Sequence, residues 1–86
     1  MDKIKIVILQ RGWVYIGRFS QEGDMCTLTD AYNIRKWGTT KGLGQIALKG
    51  KQEDTQLDKT GKVTFHILTS VAIIDVNQKL WNKEFS

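Results

Sequence analysis

Ten consecutive residues, Arg35 to Gly44 (R-K-W-G-T-T-K-G-L-G), combine three cations, a tryptophan, two threonines and three glycines. Such a mix fills little core. It supplies charge, hydroxyl and backbone donors, and a flat ring, which a phosphate-bearing aromatic ligand requires. On a strand, Arg35 and Trp37 would share a face. A guanidinium can pair bidentately with phosphate, and an indole stacks well on a base. Gly38, Thr39, Thr40 and Lys41 follow directly and complete the candidate anion site. The competing reading packs Trp37 in the core and pairs Arg35 with Asp30.

The segment Gly42 to Ala47 (G-L-G-Q-I-A) matches a dinucleotide-binding fingerprint. That fingerprint belongs to a parallel strand–helix–strand unit with an acidic residue about 20 positions on, and this chain has too little room for that fold. What survives is a glycine-containing loop running into a helix start, where free N–H groups could face an anion. A plain flexible turn explains it as well. A second candidate wall is Arg11-Gly12-Trp13-Val14-Tyr15. Trp13 and Tyr15 alternate with Val14 and so share a face. Paired aromatics of this kind occur in nucleic-acid-binding barrels and in cores alike.

No catalytic set accompanies these residues. The single histidine, His66, sits in K-V-T-F-H-I-L among apolar neighbours. It reads as a half-buried strand residue rather than a general base. Cys26 is the lone cysteine and alternates with Leu28, as a core thiol would. A nucleophile needs an adjacent base, and nothing in the spacing of Cys26 and His66 supplies one. Asp24, Asp30 and Asp75 lie at strand ends or within a strand, where carboxylates cap or pair. There is no metal motif and no disulfide framework. The expectation is a binding protein that is not an enzyme and takes no cofactor and no metal.

The chain has 86 residues and a net charge of +4, which suits one domain spanning 1–86. A domain this short buries only about 60–65% of its unfolded surface, so its core is thin and a subunit partner would add stability. Between Asp30 and Glu53 stand five cations (Arg35, Lys36, Lys41, Lys49 and Lys51) and no acid. This local positive field attracts anions, although a solvated basic surface looks the same in sequence. Glu53, Asp54 and Asp58 follow in a polar stretch. Residues 1–9 alternate charge and apolarity, unlike a signal peptide or a membrane span. A cytoplasmic protein with no membrane contact is expected.

The periodicity of the chain is mostly two. Strands are predicted over residues 4–8, from Trp13 to Phe19, from Met25 to Thr29, from Tyr32 to Trp37 after a kink at Asp30-Ala31, from Lys62 to Leu68, and from Val71 to Val76. Leu43 to Lys49 predicts a short helix with Leu43, Ile46 and Ala47 on one face and Gly50 as its stop. Residues 50–61 read as a polar loop. Asn77 to Phe85 predicts a terminal helical turn carrying Leu80, Trp81 and Phe85. The fold class is all-β with one or two short helices, a small twisted antiparallel sheet or open barrel of about six strands. Lys3 and Lys5 are candidates to guard a first sheet edge.

The ordered set I-V-I-L-Q-R-G-W-V-Y-I-G-R, Q-E-G-D-x-x-T-L-x-D-A-x-x-I-R-K-W-G, L-G-Q-I-A-L-K-G and I-L-T-S-V-A-I-I-D-V covers about residues 6 to 76. It resembles a widespread family of small uncharacterised phage proteins, and through it the phage anti-CBASS sponge proteins, which bind a cyclic nucleotide messenger without turning it over. The resemblance matches Arg11, Arg35, Trp37 and Gly38. Thr39, Thr40 and Lys41 fall where the family varies, so their assignment rests on chemistry alone.

Taken together, these readings make the expected function sequestration of a cyclic dinucleotide, such as cyclic GMP-AMP, by a phage protein in the cytoplasm of an infected bacterium. The expected ligand site is Arg11, Trp13, Tyr15, Arg35, Trp37, Gly38, Thr39, Thr40 and Lys41. The partner calls are a small nucleotide ligand and a homo-oligomer with that site at or near a subunit interface. Alternatives are a small barrel that binds single-stranded nucleic acid through the same face, ranked behind because the charge is mild, and an inhibitor that docks on a host defence protein through the acids around Glu53, Asp54 and Asp58 or an open strand edge.

Overall fold

The computed structural model describes residues 3–38 and 42–85. Thr39, Thr40 and Lys41, all named above as ligand candidates, lie outside the described residues. Five strands form one twisted antiparallel sheet: β1 (Ile4–Leu9), β2 (Val14–Glu22), β3 (Met25–Lys36), β4 (Gln56–His66) and β5 (Ser70–Asp75). Their order across the sheet is β4-β3-β2-β1-β5. Helix α1 (Leu43–Lys49) lies between β3 and β4, and α2 (Gln78–Asn82) follows β5. Short 3-10 turns occupy Gln10–Gly12 and Ile67–Thr69.

The expected fold class holds, with three corrections. Met25–Lys36 is one strand and not two, so the described residues form five strands rather than six. Asp30 sits at φ 54 and the β3–β4 register shifts there, so the kink is an irregularity inside a continuous strand. The polar stretch 50–61 is not all loop, because β4 begins at Gln56. Finally, β1 is interior, between β2 and β5, so Lys3 and Lys5 guard no edge. The edges are β4 and β5. Lys5 instead bridges to Asp75 at 3.3 Å and lies over the Phe19 ring.

Alternation along the strands builds two apolar cores, one on each face. The first joins Ile4, Ile6, Val14, Ile16 and Ile34 of the sheet to Leu43, Ile46 and Ala47 of α1 and to Val76, Trp81 and Phe85 of the tail. The second gathers Val7, Cys26, Leu28, Ala31 and Phe65, flanked by Phe19, Val63 and Ile73. Because both edge strands contribute to it, the sheet curls around this face.

The C-terminal segment is stitched down as the apolar spacing of Leu80, Trp81 and Phe85 predicts, with Trp81 and Phe85 buried and Leu80 at the surface. The Asn77 side chain accepts from the Leu80 N–H and caps α2. The Trp81 Nε1–H donates to the Ile46 carbonyl at 2.8 Å, tying α2 to α1. Ile4 donates its N–H to Gln78 Oε1, while Gln78 Nε2 donates back to the Ile4 carbonyl, both at 2.8 Å. Burial pushes the Cys26 thiol above its ordinary range, and the Asp24 charge adds to the shift. This agrees with a core role for the thiol.

Candidate functional site

The two sequence-distant walls meet through the β2–β3 register. Tyr15 pairs with Asn33, and Asn33 pairs with Asp58 of β4. These three therefore form one row across three strands on the face opposite the helices. Extending the β2–β3 register by two residues sets Trp13 across from Arg35. The Trp13 and Tyr15 rings have centroids 6.5 Å apart and planes 17° from parallel. Trp13 is 56% exposed. Tyr15 is half-buried against the second core, so it anchors the pair while Trp13 presents the open surface.

Charge is arranged around these rings. Arg35 does not pair with Asp30, the partner weighed from sequence. Its Nε lies 3.1 Å from Asp58 Oδ2, and Asp30 instead faces Arg18 at 3.9 Å. Both members of the Arg35–Asp58 pair are substantially exposed, so it contributes little to stability, about 0–1 kcal/mol. Asp58 thus leaves the acidic loop expected from sequence and joins the ring surface. Asn33 Nδ2 donates to the Val14 carbonyl at 3.1 Å, which fixes the amide in the same row. Arg11 occupies the β1–β2 turn with φ 69, exposed beside the start of β2.

The Arg35–Lys41 segment divides. Trp37 lies past the end of β3 and is 42% exposed, so the reading that buried it in the core does not hold. Its ring faces the Gly42 end of the α1 entry, and its carbonyl accepts from Thr55 Oγ1 at 2.6 Å. Gly38 has a structural task. At φ 65 its α-carbon lies so close to the Asp54–Thr55 backbone that an added Cβ would sit 2.3 Å from the Asp54 carbonyl carbon. The helix-start idea also weakens, since the Gln45 N–H donates back to the Gly42 carbonyl at 3.2 Å and α1 spans only seven residues.

Of the candidates named from sequence, the strand register brings Trp13, Tyr15 and Arg35 onto one surface, and it adds Asn33 and Asp58, which no local pattern singles out. At the other end of β3, His66 Nδ1 accepts from the Leu68 N–H at 3.1 Å and its Nε2 lies 4.0 Å from Asp24. Among the described residues no group of three or more His, Cys, Asp or Glu could hold a metal ion. No helix there is long and apolar enough to cross a membrane.

No protein-family model and no curated protein matches the chain. Among solved structures it is similar to a heptameric archaeal Sm protein, described for its implications for the eukaryotic snRNP core. The TM-score is 0.58 at 18% identity, over 88% of each chain. At that identity the likeness concerns the fold.

Proposed function

We propose that this chain is a non-enzymatic, homo-oligomeric binding protein whose ligand stacks a nucleobase on Trp13 and Tyr15 and presents phosphate to Arg11. One observation carries this reading: two near-parallel aromatic rings, one of them more than half exposed, share their rows with the exposed Arg35–Asp58 pair at one end of the sheet. An exposed indole is a sequence-tolerant stacking surface, and a base with its phosphate is the flat partner that a cationic surround selects. Oligomerisation is supported by the two open edges β4 and β5, by exposed Val71 and Leu68 at the β5 end, and by the heptameric assembly of the Sm protein that shares the fold.

The finer reading is a cyclic nucleotide messenger held by a phage protein in the host cytoplasm. It rests on the family resemblance and on the match between this surface and a base-plus-phosphate ligand. Arg35 already faces Asp58, so charge from a second subunit would add to that of Arg11, which supports a site at or near an interface. A second reading is favoured by the openness of the ring surface. The apolar hollow lined by Gly44, Gln45, Leu48 and Lys49 lies on α1, away from Trp13 and Tyr15, and an open surface suits a threaded single strand.

Calorimetry with a panel of cyclic nucleotides and short single strands tests both. A captured messenger gives a shallow salt dependence. A strand gives a slope of about −0.7 per phosphate neutralised, steepening with length. Trp13→Ala should lower affinity by about 1–3 kcal/mol in either case and leave the fold intact. Failure of every nucleotide and strand to bind at micromolar protein removes the proposal.

A further inference from the structure

The spacing of the two rings matches the strand repeat. Residues i and i+2 of a strand stand about 6.6–6.8 Å apart on one face, and the Trp13 and Tyr15 centroids are 6.5 Å apart with planes 17° from parallel. Each ring therefore stands above its own residue on one face of the strand, near-parallel to the other. A base in a nucleic-acid stack occupies about 3.4 Å of rise, so two rings set face to face at about twice that value take one planar base between them.

What lies at the edge of that gap sets which base. Arg35 belongs to the row of Trp13 and Asp58 to the row of Tyr15, so the ion pair between them spans the level of the gap. Adjacent strands lie about 4.8 Å apart. Asp58 on β4 is two strands, about 9.6 Å, from β2, so a base seated over β2 and β3 turns one edge towards it. The opposite edge, where the sugar leaves, points towards the turn that carries Arg11.

We propose that Trp13 and Tyr15 sandwich a single guanine, and that the Asp58–Arg35 pair reads its hydrogen-bonding edge. This deepens the nucleotide reading above and rests on it. Guanine alone among the bases presents two neighbouring N–H donors beside a carbonyl oxygen. The Asp58 carboxylate accepts from N1–H and from the 2-amino group, and Arg35 donates to O6. Adenine and cytosine offer the carboxylate one donor group instead of two. Uracil places acceptors on both sides of its single N–H. Arg11, on the sugar side, takes the phosphate. Asn33, held by its bond to the Val14 carbonyl, lies in the floor between Tyr15 and Asp58.

The experiment is calorimetric titration of the full chain with the monophosphates of guanosine, inosine, adenosine, cytidine and uridine. All carry the same phosphate, so differences report the base. Guanosine monophosphate should bind best, with the others weaker by about 5- to 100-fold, the range of one good bidentate contact. Inosine monophosphate lacks only the 2-amino group and should lose much of that margin in the unaltered protein. In Asp58→Asn the guanosine preference should collapse while adenosine and cytidine monophosphates change little. Equal affinities across the five, or inosine equal to guanosine, overturn the guanine assignment and leave the nucleotide reading standing. Absence of binding by all five, together with failure of the cyclic and single-strand panels, removes both.

Discussion

Replacing Gly38 by alanine separates a structural glycine from a ligand-binding one. Two costs follow from the structure. The residue sits at φ 65, a region that costs an L-residue with a Cβ about 1–2 kcal/mol. The new methyl would also lie 2.3 Å from the Asp54 carbonyl carbon and 2.5 Å from the Asp54 oxygen and the Thr55 nitrogen. These are backbone atoms, which cannot swing aside as a side-chain tip can. Forcing them apart adds about 1–3 kcal/mol, for a total of about 2–5 kcal/mol. An 86-residue domain has about 4–13 kcal/mol of stability in all, so the loss is large. Gly12 is the matched control, since its φ is 81 and nothing lies within 4 Å of an added Cβ. Gly12→Ala should lose only the backbone cost of about 1–2 kcal/mol. Urea unfolding of both variants, at one protein concentration so that any assembly contributes equally, isolates the steric part. A loss for Gly38→Ala within about 0.5 kcal/mol of that for Gly12→Ala would show that the Asp54–Thr55 backbone does not confine this position.

Trp81→Ala should destabilise by about 3–5 kcal/mol, because it empties the first core and removes the Nε1–H bond to Ile46; an unchanged urea midpoint would contradict this. The raised Cys26 pKa makes the folded state hold its thiol proton after the unfolded state has released one. Its stabilising contribution is therefore full below the ordinary value of 9.0 and is lost as pH rises towards the higher folded value, at up to about 1.4 kcal/mol per pH unit. Cys26→Ala should flatten that alkaline decline in stability measured against pH. Val71→Lys, at a position 68% exposed on edge strand β5, should leave unfolding of the monomer within about 0.5 kcal/mol and weaken self-association in sedimentation velocity. An unchanged sedimentation profile would place the subunit contact elsewhere.

Local patterns were legible where one element decides them. Leu43, Ile46 and Ala47 with Gly50 behind them mark α1 to the residue, and Trp81 with Phe85 marks the buried side of the tail. The start of β4 was hidden because its outer positions are polar and one of them, Asp58, serves Arg35 instead of a core. The break expected at Asp30-Ala31 disappeared because β2 and β4 pair with β3 on both sides of it. Neighbouring strands hold a kinked backbone in one strand, which no window of sequence can show. The ring surface was half legible. The chemistry of Trp13, Tyr15 and Arg35 was plain, but their convergence is a property of register, as are the roles of Asn33 and Asp58. Gly38 looked like part of an anion loop because a glycine that makes room for a ligand and one that makes room for its own chain have the same letter.

The dislocation in the middle of the long hairpin has a wider consequence. The β1–β2 pairing is regular through Gly17, yet β2–β3 slips between Ile16 and Arg18 and β3–β4 slips around Ala31. Gly17 provides the clearance, because a Cβ there would press on Leu28 and Ala31 at 3.1–3.2 Å. The two long strands thus turn a corner together and line both hydrophobic interiors with a single length of main chain. Opening one interior therefore disturbs main chain that also lines the other. Amide exchange on the helix-covered side and on the curled side should slow down as one block, and damage at this corner should shorten the lifetime of the entire molecule.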